Sequence, residues 1–219
     1  MIEGESGHVV YAVKELFATL QGEGARAGRA AVFCRFAGCN LWSGREEDRA
    51  DAACRFCDTD FVGLDGPGGG RFADAEVLAH AIETAWSGGQ PERYVVFTGG
   101  EPLLQLDVAL VQAVHARGFE VAVETNGTLD PPLGVDWVTV SPKAGALWRL
   151  RSGSELKLVY PQAGLGPDRL PEDLRFAHRW LQPMDGPNRA ANTQAAVAYC
   201  LAHPAWRLSL QTHKMIGIP

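Results

Sequence analysis

The chain has 219 residues, 46% of them apolar and 21% charged, enough for one sizeable core and too few for a multidomain machine. Twenty Lys and Arg against 26 Asp and Glu leave a net charge of −6, the wrong sign for a protein that lives on phosphate backbones, so nucleic acid is excluded as the main partner. No apolar run approaches the ~18 residues of a membrane span and the opening residues lack a secretory pattern, so the expectation is a cytoplasmic protein with no membrane partner.

Apolar runs bounded by Gly, Pro or Asn alternate with segments of helical period, the pattern of βα units around a largely parallel sheet, which predicts one α/β domain over residues 1–219. Residues 1–10 read as a loose extension, and the first predicted strand is Ala31–Ala37. The charged stretch Trp42–Ala53 reads as an inserted surface loop or short helix, and Asp65–Gly70, DGPGGG, as a flexible link. A helix is predicted over Asp74–Trp86, with Asp74 as N-cap and Val77, Leu78, Ala81, Ile82 and Ala85 on its buried face. Strand Tyr94–Thr98 leads into a second helix over Pro102–Arg117, stopped by Gly118. Strands Glu120–Glu124, Trp137–Val140 and Glu155–Tyr160 follow, then a short helical turn after Pro171 within Leu165–Phe176. Strand Arg179–Gln182, a helix over Asn192–His203 capped by Asn192 or Thr193, and strand Arg207–Gln211 complete the series.

Three of the five cysteines, Cys39, Cys54 and Cys57, fall in one short segment. In a reducing compartment such a group is more often a metal or iron–sulfur site than a disulfide framework. Three thiols leave one iron of a four-iron cluster unligated by protein, an open position for chemistry. A zinc site completed by Cys34 or a histidine, and plain packed thiols, explain the spacing as well. Cys34 shares a strand face with Phe36, opposite Arg35, and reads as a buried structural thiol; Cys200, among Ala196, Val197 and Leu201, reads as core.

Further along, Thr98-Gly99-Gly100-Glu101-Pro102 ends a buried strand. Its glycines would let backbone approach a ligand closely, and Glu101 would either accept from that ligand or brace the turn. Three clustered cysteines and a GGEP segment resemble the radical S-adenosylmethionine (SAM) superfamily. The closer resemblance is to the 7-carboxy-7-deazaguanine synthase family. It is carried in order by Leu20-Gln21-Gly22-Glu23-Gly24, Arg35 to Leu41, Cys54-Arg55-Phe56-Cys57-Asp58-Thr59, Glu124-Thr125-Asn126-Gly127, Ser141-Pro142-Lys143 and Gln182-Pro183-Met184-Asp185-Gly186. The superfamily usually spaces its cysteines C-x3-C-x2-C, whereas here fourteen residues separate the first pair, as in some members of this family.

The resemblance implies a truncated parallel α/β barrel of about six core strands, with a 4Fe-4S cluster on Cys39, Cys54 and Cys57. It implies SAM held by Phe56, Asp58, Gly100, Ser141, Pro142, Lys143 and the run Gln182, Pro183, Met184 and Asp185, and Mg2+ on Thr59. The implied substrate is 6-carboxy-5,6,7,8-tetrahydropterin, contracted to 7-carboxy-7-deazaguanine with loss of ammonia after hydrogen abstraction from C6. Its contacts would be Leu20, Gln21, Gly22, Glu23, Arg35, Thr98, Glu124, Asn126, His213 and Pro219. Arg35 suits the carboxylate, since an Arg in an apolar strand is either paired structurally or waiting for an anion. A homodimer and a flavodoxin-type electron donor complete the implied partners. A radical SAM activase of a glycyl-radical enzyme would leave the pterin-type motifs unexplained, and a non-catalytic zinc module would leave GGEP and Ser-Pro-Lys unexplained. At the chain's end, Met215, Ile216 and Ile218 suggest an apolar tail docked into the core, bringing Pro219 toward the site.

Overall fold

The computed structural model describes residues 10–219; the expectation for residues 1–9 lies outside them. One nine-stranded sheet runs in the order β3-β1-β2-β4-β5-β6-β7-β8-β9. From β2 (Ala30–Phe36) through β4 (Tyr94–Gly99), β5 (Glu120–Thr125), β6 (Trp137–Val140), β7 (Ser152–Tyr160) and β8 (Arg175–Pro183) to β9 (Arg207–Leu208), every neighbouring pair is parallel. That makes seven parallel strands where about six were expected. β1 (Tyr11–Leu20) and β3 (Gly70–Phe72) add an antiparallel edge. The sheet does not close, so it is a partial barrel with edges at β3 and β9.

Helices α1 (Ala75–Ala85), α2 (Val108–His115) and α3 (Arg189–Ala202) follow β3, β4 and β8, while β5 and β6 are followed by loops alone. The core divides accordingly. Between the sheet and α1–α2 lies the larger apolar layer, with Cys34, Phe36, Val95, Phe97, Leu78, Ile82, Leu110 and Val114. On the opposite face of the same strands, Ala31, Tyr94, Val96 and Ala122 fill the barrel interior. Strand alternation therefore places Cys34 in the helix layer, fully buried. Cys200 is partly buried, packed beside Leu156 and Leu181.

Several predicted boundaries move for identifiable reasons. β1 was unread because Lys14 and Glu15 interrupt its apolar pattern, and the pairing slips between Val13 and Glu15. The glycine-rich link is no free tether. Leu16 N donates to Pro67 O and Gly66 N to Lys14 O, and a Cβ on Gly69 would sit 2.2 Å from Lys14 O. Those glycines let the segment lie flat on β1. In α1, Asp74 does cap Val77 N, but Val77 is 47% exposed and Ala79 takes its place in the core.

The second predicted helix is broken in two, a 3-10 turn over Pro102–Leu104 and then α2, because Asp107 accepts from Leu110 N and starts a new N-terminus. Helix α3 begins at Arg189, so Asn192 lies within it and donates to Met184 O instead of capping. The expected turn after Pro171 is instead a 3-10 turn at Pro167–Arg169, with β8 beginning at Arg175. β9 stops at Leu208, and Ser209 and Gln211 beyond it turn their side chains toward the barrel interior. No helix among the described residues is long and apolar enough to cross a membrane.

Candidate active site

The carboxyl ends of the parallel strands open into a cavity of about 360 Å³, the position where α/β folds collect ligands. Of the residues assigned to cluster, SAM, magnesium or substrate in the sequence, all but Pro142 line it. Pro142 is buried behind the wall, its carbonyl accepting from Gln162.

Cys39 follows β2 directly. Gly99 and Gly100 make that placement possible, since a Cβ on Gly100 would lie 2.1 Å from Gly38 O and 2.7 Å from Cys39 Cβ, while Glu101 N donates to Gly38 O. Glu101 braces the turn. Fully buried, it accepts from Thr125 Oγ1, Asn126 N and Leu103 N, and burial pushes its carboxyl above the usual range.

The segment carrying Cys54 and Cys57 is held by Arg49, which donates to the carbonyls of Arg55 and Cys57 and stacks on Trp42. Trp42 in turn packs edge-on against Phe61, so the charged insertion has a buried foot. A hydrogen bond from Cys54 lowers the Cys57 thiol to about 6, against its burial. Burial holds Lys143 below its ordinary range, and its charge acts on Cys54 and Cys57 while its Nζ donates to Ser141 O and Oγ.

Three thiols lining one cavity, two of them acted on by the buried Lys143, fit a bound anionic iron–sulfur cluster. Each iron takes its own thiolate, so the sulfurs need not converge on one point. Among the described residues no three Cys, His, Asp or Glu side chains do so.

The opposite wall comes from below. Residues 21–29 link β1 to β2 at the amino end of the parallel strands and fold up into the barrel. Ala25 N donates to Glu155, which also accepts from Thr139 and Trp180. Arg26 and Arg29 clasp Glu120. Gln21 Nε2 donates to Glu124 at 2.9 Å, and Glu23 pairs with Lys157 and accepts from Gln182 and Gln211. Register sets Glu15, Arg35 and Thr98 side by side. Arg35 Nε donates to Glu15 at 2.7 Å, so the Arg is paired structurally and also faces the cavity. Asn126 donates to Asn40 and accepts from Thr128.

The last helix, α4 (Thr212–Ile216), closes the rim. Thr212 bonds to Gly22 O, and a Cβ on Gly22 would collide with His213. Burial lowers the His213 imidazole below its ordinary value. Lys214 joins Asp58 at 2.6 Å to Asp185 at 2.7 Å. Docking runs through these polar side chains and through Thr19, which donates to Pro219 O. The expected apolar anchor is overturned at Met215 and Ile216, which are 67% and 62% exposed, and only Ile218 of the three is half-buried.

Lys157, Gln211 and Lys214 also line the cavity and were missed. The lone cation in the apolar strand Glu155–Tyr160 is the same signal that singled out Arg35. Gln211 and Lys214 carry no local signal.

The Radical SAM superfamily model matches residues 49–146, a stretch holding Cys54, Cys57 and the Gly99-Gly100 turn. A 7-carboxy-7-deazaguanine synthase of Bordetella pertussis is 69% identical over 211 residues, 96% of this chain and all of that one. The chain belongs to the 7-carboxy-7-deazaguanine synthase family. A Caulobacter vibrioides member is 65% identical over 96% of this chain and 100% of its own. The crystal structure of QueE from Escherichia coli superposes with a TM-score of 0.64 at 29% identity, covering 93% of this chain and 95% of that one.

Proposed function

We propose that the chain is a radical SAM lyase that converts 6-carboxy-5,6,7,8-tetrahydropterin to 7-carboxy-7-deazaguanine with release of ammonia, a step toward queuosine. The observation that carries the reading is the meeting, in one cavity, of the three thiols, the Gly99-Gly100 turn and the Gln21–Glu23–Glu124 acceptor set, in a chain 69% identical to a synthase of that name. Cluster and SAM, when bound, supply one-electron reduction and hydrogen abstraction; the chain positions the reactants and excludes water.

Cys39, Cys54 and Cys57 would hold the cluster. Phe56, Asp58, Gly100, Ser141, Lys143 and residues 182–185 would hold SAM around it. Arg35 would take the substrate carboxylate while Glu15 fixes its Nε, and Gln21, Glu23, Glu124, Asn126 and Thr98 would accept from or donate to the ring edge. Leu20, Gly22, His213 and Pro219 would complete that wall. Thr59 would offer a hydroxyl to Mg2+ beside substrate and waters. A single domain, a homodimer, a flavodoxin-type donor and a cytoplasmic location belong to the same reading.

The test is anaerobic. Reconstituted protein should be brown, and with SAM and reductant it should turn the tetrahydropterin into 7-carboxy-7-deazaguanine. Cleavage of SAM with no deazaguanine product would overturn the assignment.

A further inference from the structure

Lys157 lies in the middle of β7, its side chain 5% exposed, between the carboxylates of Glu23 and Glu124. Those acids come from distant parts of the fold, Glu23 from the loop that enters the barrel from below and Glu124 from the end of β5. Both line the cavity. Each carboxylate gives one oxygen to Lys157 and the other to amides, Glu23 to Gln182 and Gln211 and Glu124 to Gln21. A carboxylate has about four acceptor directions, so both acids keep capacity for a ligand.

We propose that Lys157 is a positioning residue for ring recognition: it holds Glu23 and Glu124 apart and both ionised, as a fixed pair of acceptors for a planar ligand edge bearing adjacent N–H donors. The inference rests on the function proposed above and names the group through which that site selects its ligand. Two carboxylates sharing one buried space cannot both stay ionised without a counter-charge, and one would take up a proton and become a donor. One cation against two anions also leaves acceptor oxygens unused, which the paired N–H donors of an amidine-like edge satisfy and a carbonyl edge does not. Selectivity of that kind is strong because a wrong edge leaves buried acceptors unpaired.

The charged groups acting on Lys157 are Glu23 and Glu124 in contact, Glu155 on its own strand, Lys143 beyond β6 and His213 of α4. Burial opposes the charge on Lys157 and the three acids outweigh it; the same cation carries Glu23 below the usual carboxylate range.

The test uses the reconstituted holoenzyme, with wild type, Lys157→Gln and Lys157→Arg. Turnover by wild type comes first, since its absence overturns the function and says nothing of Lys157. Given turnover, Lys157→Gln should raise the KM for the tetrahydropterin about tenfold or more at neutral pH and leave SAM affinity, measured by equilibrium binding, unchanged. Its KM should fall as pH rises and the second carboxylate ionises, while the wild-type KM stays flat over the same range. Lys157→Arg, which restores the charge, should recover most of the affinity. An unchanged KM, a loss equal at every pH, or no rescue by Arg overturns the proposal. Failure of Lys157→Gln to fold and load a cluster also overturns it, by making Lys157 a folding residue.

Discussion

The carboxylate of Glu101 accepts the backbone N–H of Asn126 at 2.8 Å, which ties the turn after β4 to the turn after β5. Its other oxygen accepts from Thr125 and Leu103. The strand-end glycines that seat Cys39 and the asparagine that faces the cavity are thus one braced unit. Glu101→Gln keeps the shape and sets an amide N–H against a backbone N–H. It should cost about 1–3 kcal/mol, read as a lower urea midpoint with an unchanged slope.

Cys39→Ala, Cys54→Ala and Cys57→Ala should each abolish the iron–sulfur absorbance of reconstituted protein. Cys34→Ala, in the helix layer, and Cys200→Ala, on α3, should keep it. Loss of the cluster in Cys34→Ala would contradict the face on which the strand places that thiol.

Arg35→Lys should still bind and cleave SAM and should bind the pterin poorly, because an ammonium cannot serve Glu15 and make a two-pronged contact with a carboxylate. Unaltered pterin affinity, by anaerobic titration, would remove Arg35 from the substrate wall.

Lys214 links Asp58, just past the last clustered cysteine, to Asp185, in the loop after β8. Lys214→Met should weaken SAM binding by about threefold to tenfold, the scale of a half-exposed ion pair worth ~1 kcal/mol. Chiefly through its bond to Lys214, the Asp185 carboxyl is held below its usual range. A folded-state value below the unfolded one gives a stabilisation that is complete above the ordinary Asp range and lost as pH falls through the lowered value. The thermal midpoints of wild type and Lys214→Met should therefore converge on acidification.

Much of the fold was legible because the parallel strands are buried on both faces and appear as unbroken apolar runs, as Tyr94–Thr98 does. β1 was not, because its bulge and its paired Lys14 hide the alternation behind contacts with Asp60 and Asp65 that lie about fifty residues away. The site divides along the same line. The cysteines, Arg35 and the Gly99-Gly100 turn announce themselves by local chemistry. Gln211 and Lys214 are ordinary polar residues whose roles exist only once α4 lies beside Glu23 and Asp58.

One wall of the cavity is braced by pairings between residues 185 to 190 positions apart: Ser209 with Gly24, Gln211 with Glu23 and Thr212 with Gly22. Bringing such distant segments together carries a large loop-closure cost, and it is repaid only after the intervening strands have paired. A refolding chain should accordingly regain its circular-dichroism signal first and its capacity to hold ligand later. The binding pocket is kinetically the last part of the molecule to exist.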